Sequence, residues 1–135
     1  MSERTLVLVK PDAVSRGLVG EVLRRYERKG LRNVAMDQRT VDRETADRHY
    51  EEHLERDFYP PLREFVTSGP LVAMVLEGDQ AIAVVRAING ATDGRAAAAG
   101  TIRGDLSLSN RENIVHASDS AESAAREIAI FFPTL

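Results

Sequence analysis

Leu71-Val72-Ala73-Met74-Val75-Leu76, an unbroken apolar run closed by Glu77-Gly78, decides how this chain folds. A short run rich in β-formers and bounded by turn residues suits a strand covered on both faces. Upstream, Thr5 to Val9 is a second short run of β-formers, almost wholly apolar, stopped by Lys10-Pro11-Asp12. Between the two, Leu18, Val19, Val22, Leu23 and Tyr26 recur at helical spacing. Gly30 then stands where a helix C-cap is needed. Residues 34–41 hold a weaker strand. Asp42 can cap a helix over 43–53, and Pro60-Pro61 can open a short helix through Thr67. Downstream, Asp79 can cap a helix with an apolar stripe of Ile82, Val85 and Ile88. Asn113 to His116 reads as a last short strand. Asp119 with Glu122 resembles the capping pair of a final helix that buries Ala125, Ile128 and Phe132.

Four strands interleaved with helices favour an α/β (α+β) fold of the ferredoxin-like sandwich type: a four-stranded antiparallel sheet with helices packed on it. A length of 135 residues suits one domain, 1–135. The absence of cysteine excludes disulfide and thiolate-metal frameworks. A net charge of -3 argues against a dedicated nucleic-acid binder. No apolar stretch is long enough to cross a membrane, and the expected location is cytoplasmic.

Polar residues gather at element ends: Lys10 after the first strand, Arg86 late in a helix, Thr92 and Arg103 in the long irregular stretch 89–104, and Asn113 and His116 around the last strand. Strand ends meet at one edge of a sheet, so these groups can line one cleft. A lysine, two arginines and a hydroxyl are suited to a polyphosphate, because guanidinium groups bind phosphate oxygens bidentately. A histidine neutral near pH 7 can attack phosphorus with one ring nitrogen while an acceptor holds the proton on the other. Glu127, on the following helix, is the candidate acceptor.

Asn113-Ile114-Val115-His116-Ala117-Ser118-Asp119-Ser120 resembles the active-site segment of nucleoside diphosphate kinases. Glu3 through Asp12, Arg16 through Glu21, Ser68-Gly69-Pro70, Gly100 through Asp105, and Glu122 through Ile128 resemble the same family in order along the chain. The resemblance implies His116 as nucleophile with Glu127 orienting it. It further implies Lys10, Arg86, Thr92 and Arg103 on the phosphates with Tyr50 nearby, Asn113 and Lys10 on the ribose, and Phe58 stacked on the base. Mg²⁺ would arrive on the nucleotide and not in a protein cage. The partners implied are nucleoside di- and triphosphates and further copies of the chain, with a hexamer favoured over a tetramer.

Three positions depart from the family pattern. Ala117 stands where glycine is common, and Gly94 and Ala99 stand where prolines are common, so restoring both prolines is expected to stiffen the loop. His49-Tyr50-Glu51-Glu52-His53 matches a zinc-protease motif, but a third protein ligand is missing, and solvated helix residues are the expectation there. Walker-type and protein-kinase signatures are absent from the sequence. The rival from another class is a ferredoxin-like nucleotide-binding module without catalysis. The complete set of Lys10, Arg86, Arg103, Asn113 and His116 argues against it.

Overall fold

The computed structural model describes residues 2–135. Strands β1 (Ser2–Val9), β2 (Arg32–Arg39), β3 (Leu71–Asp79) and β4 (Val115–Ala117) form one antiparallel sheet in the order β2-β3-β1-β4. The helices are α1 (Pro11–Ser15), α2 (Val19–Lys29), α3 (Arg43–His49), α4 (Tyr59–Val66), α5 (Ala81–Asn89), α6 (Ile102–Leu106) and α7 (Ala121–Phe131).

The two apolar runs are the central strands, and alternation along them feeds two cores. Val7, Val9, Met74 and Leu76 face α2 and α5 through Val22, Tyr26 and Val85. Leu6, Leu8, Ala73 and Val75 face the other layer, with Ala46, Tyr59, Val66 and Phe131. Burial on both faces explains why the two runs are apolar apart from Thr5, which opens the first. Edge strand β2 is half-exposed along its length, and a bulge at Val34 breaks its pairing with β3. Its bounds therefore lie two residues ahead of the expected 34–41.

Gly30 closes α2 at φ 107°, a left-handed conformation that glycine adopts without Cβ strain. Gln80, not Asp79, occupies the cap position of α5. The Ile82 amide there is satisfied from across the sheet, donating to Glu3 Oε1 at 3.0 Å. Ser120 instead of Asp119 caps α7, accepting from the Ser123 amide. The buried face of that helix is accordingly Ala124, Glu127 and Phe131, while Ala125 is exposed. The helix expected over 43–53 stops at His49 and gives way to a 3-10 turn at Glu51–His53. Stretch 89–104 is more ordered than its composition suggests: Thr101 Oγ1 accepts the Gly104 amide and starts α6. α1, opened by Pro11, was not foreseen either.

Candidate active site

A cleft of about 700 Å³ opens where β1 and β4 end against α3, α4 and the segment 92–113. Lys10, Tyr50, Phe58, Arg86 and Thr92 line it together with Arg103, Asn113, His116 and Glu127. Every side chain singled out from the sequence is thus brought to one place.

His116 lies in β4, paired opposite Leu8. Its Nε2 stands 3.0 Å from Glu127 Oε1, and the same oxygen accepts from Ser118 Oγ at 2.9 Å. Glu127 is buried at 4% exposure, and the Arg126 guanidinium lies 3.7 Å from its other oxygen, Oε2. With Nε2 directed at a carboxylate, the neutral tautomer carries its proton there and leaves the Nδ1 lone pair free.

Cationic groups approach from β1, α5 and α6. Lys10 is 5% exposed; its Nζ donates to the Arg111 carbonyl at 3.0 Å. Burial lowers its pKa to about 8, Asp12 opposes that shift, and Arg103 adds to it. The Arg103 guanidinium spans three backbone carbonyls, Asn113, Gly90 and Val115, at 3.2, 2.9 and 2.6 Å. It therefore also ties the 89–104 segment to β4. Arg86 is exposed and weakly held, 3.4 Å from the Ala117 carbonyl. The Asn113 amide nitrogen donates to the Thr92 and Asn110 carbonyls, while its Oδ1 is buried without a partner. An unsatisfied buried acceptor beside a cleft suits a ligand hydroxyl. Phe58, 48% exposed at the rim, is tilted against the His53 ring with centroids 5.4 Å apart.

Several site residues escaped the sequence reading. His49 is not solvated: it is 3% exposed and packs edge-on against the His116 ring, with centroids 4.5 Å apart. Burial first, then the charges of His116, Arg126 and His53, pushes its pKa well below the usual value and keeps it neutral. His53 is half-buried in the cleft wall. Ser118 was visible two residues beyond His116 but carried no assigned role. Among the described residues, His49, His116 and Glu127 form a cluster able to ligate a cation, their ligand atoms within 4.8 Å of one another. Two imidazoles and one carboxylate suit a softer ion than magnesium, which prefers oxygen.

The nucleoside diphosphate kinase family model matches residues 3–135. A nucleoside diphosphate kinase of Nocardioides sp. is 70% identical over 135 residues, covering 100% of both chains. That of Thermobifida fusca is 61% identical over 133 residues, 98% of each. Among solved structures, a halophilic nucleoside diphosphate kinase from Halobacterium salinarum in complex with CDP superposes with TM-score 0.95 at 47% identity, covering 98% of this chain and 88% of that one. The chain belongs to the nucleoside diphosphate kinase family. It is a nucleotide-binding phosphotransferase of nucleotide metabolism, and its sheet and helices are those of the nucleoside diphosphate kinase fold. One departure from the nucleoside diphosphate kinase pattern takes on a different meaning in the structure. Gly94 is buried; a Cβ there would lie 2.5 Å from Ser107 Cβ and closer still to the Ser107 carbonyl oxygen. Its amide also donates to the Ser109 carbonyl at 3.0 Å. Proline at 94 would clash and lose that bond, so the expected gain from restoring it does not hold for this backbone. Ala117 packs its methyl into the α2–α5 core at 6% exposure.

Proposed function

We propose that residues 1–135 form one catalytic domain that moves the γ-phosphate of a nucleoside triphosphate to a nucleoside diphosphate through a phosphohistidine at His116. The observation that carries this reading is the His116–Glu127–Ser118 chain: it fixes the proton on Nε2 and leaves Nδ1 unencumbered in a cationic cleft. The Nδ1 lone pair attacks the γ-phosphorus as the bond to the bridging oxygen breaks, and the nucleoside diphosphate leaves with that electron pair. Glu127 stabilises the positive charge that develops on the imidazole. A second nucleoside diphosphate enters the vacated cleft, and its terminal β-phosphate oxygen takes the phosphoryl group back from Nδ1. The balance is one triphosphate and one diphosphate exchanged for their counterparts.

Lys10, Arg86 and Arg103 act by charge on the transferring group, whose negative charge spreads over its equatorial oxygens. Thr92 adds a hydroxyl, and Tyr50 stands near the His116 ring with centroids 6.0 Å apart. Asn113 Oδ1 and Lys10 take the ribose hydroxyls, and the base stacks on Phe58. Magnesium, carried by the nucleotide's own phosphates, supplies further charge neutralisation. Broad base and sugar tolerance follows from stacking, which any base can satisfy. The CDP bound by the Halobacterium relative supports a pyrimidine among the ligands.

Homo-oligomers, hexamers before tetramers, belong to the same reading. The unpaired edge of β2 and the exposed Met36 on it support self-association. The reading assigns the enzyme to the cytoplasm, where its nucleotides are; among the described residues no helix is long and apolar enough to cross a membrane. Incubation with γ-labelled ATP, followed by removal of free nucleotide, should leave acid-labile label on the protein, and His116→Ala should leave none. Parent-level labelling of that variant would identify another nucleophile.

A further inference from the structure

Ile114, between the ribose ligand and the nucleophile, holds a backbone conformation it would not choose. Its φ is 77°, a left-handed value that is a genuine outlier for a β-branched side chain. The Val115 amide donates to the Asn113 carbonyl at 2.9 Å, closing the strained form of the three-residue γ-turn around it. Such a turn persists only where its surroundings over-determine it. Here the Lys10 amide donates to the Ile114 carbonyl at 2.8 Å, and Arg103 holds the carbonyls on either side. The remaining polar group of Ile114, its amide, donates to Asp12 Oδ2 at 3.1 Å.

Asp12 has no assigned part in the chemistry, yet it is 8% exposed and its other oxygen, Oδ1, is buried without a partner. We infer that Asp12 is a positioning residue for the phosphoryl transfer proposed above: its carboxylate clamps the Ile114 turn and so fixes the spacing between Asn113, which receives the sugar, and His116, which receives the phosphate. Taking a carboxylate out of water is unfavourable, and a structural role alone would be filled as well by a neutral acceptor. The charge has a second use. Asp12, two residues further along the chain in the first turn of α1, opposes the loss of charge on buried Lys10.

The spacing argument separates two kinds of phosphoryl donor. ATP must engage Asn113 and His116 together, whereas phosphoramidate has no sugar or base and needs His116 alone. In Asp12→Ala, single-turnover labelling of His116 by ATP should slow by about 10–100-fold, the loss typical of a hydrogen bond to a charged group. Labelling by phosphoramidate should slow much less, since it loses only the support that Asp12 gives the Lys10 charge. Hydrogen exchange at the Ile114 amide should quicken, and Asp12→Asn, which keeps an acceptor oxygen but not the charge, should slow that exchange again and recover part of the ATP rate. If the alanine variant does not fold, Asp12→Glu tests the same split between donors, since it retains the charge and displaces the oxygen. Unchanged Ile114 exchange, or equal slowing with both donors, overturns the inference. Failure of the parent protein to be labelled by either donor would overturn the phosphohistidine reading instead, and the exchange measurement would still decide the clamp.

Discussion

Lys10→Met should make the protein more stable and a poorer nucleotide binder. Burial lowers the Lys10 pKa from 10.5 to about 8. At ~1.4 kcal/mol for each pH unit, burying the ammonium form on folding then costs about 3.5 kcal/mol more than burying the neutral amine. The sign follows from proton counting. Between pH 8 and 10.5 the unfolded chain binds the proton that the folded chain has released, so the Lys10 contribution to stability rises with pH. Below pH 8 both states are protonated and the full penalty stands. Methionine fills a similar volume without charge, at the expense of the bond to the Arg111 carbonyl, about 0.5–1.5 kcal/mol. The net gain at pH 7 is therefore about 2–3 kcal/mol, and it should shrink steadily toward pH 10.5. Urea unfolding of parent and variant, at one protein concentration, measures both the gain and its decline with pH. A variant less stable than the parent at pH 7, or a difference that does not change with pH, would refute the claim that the ammonium is held there against its solvation.

Removing the acceptor with Glu127→Ala should slow phosphate exchange about 10–100-fold without abolishing the phosphoenzyme, by analogy with partners that orient metal-bound histidines; stopped-flow labelling reads both. Gly94→Ala should lower stability by roughly 1–3 kcal/mol through overpacking against Ser107, whereas Ala99→Pro, at an exposed position, should gain about 0.4–1 kcal/mol; thermal melts compare the two, and a Gly94→Ala chain as stable as the parent would mean the loop yields freely. Acceptor diphosphates differing only in base should fall within about 100-fold of one another in kcat/KM, and Phe58→Ala should raise KM for all of them together; a loss confined to one base would point to edge recognition.

What the sequence disclosed depended on how directly burial acts on composition. β1 and β3 are packed on both faces, so their residues could be little else than apolar, and their bodies were legible. β2 sits at an edge with a bulge, and a half-exposed strand leaves a weak pattern whose bounds slipped. His49 was misread because helical periodicity treats its neighbours Arg48, Glu51 and Glu52 as a solvated face. The helix in fact stops at His49, and the 3-10 turn that follows directs its ring inward onto His116. The Ile114 turn could not be read at all: isoleucine signals a strand, and only the bonds from Asp12, Lys10 and Arg103 impose its conformation. His116, Lys10 and Arg103 were legible through the motifs that resemble the family, more than through any local property of their own.

The strand order has a consequence during biosynthesis. β1 leaves the ribosome first, yet it occupies the middle of the sheet between β3, which begins at Leu71, and β4, which begins at Val115. At ~5–20 residues per second, β1 waits roughly 3–12 s for its first partner. Through that interval Leu6, Val7, Leu8 and Val9 have no sheet to enter, which makes the nascent strand a ready client for chaperones. Lys10 meets His116 and Glu127 only when the last helix emerges, so a chain truncated before it carries Lys10, Arg86 and Arg103 without the assembled cleft.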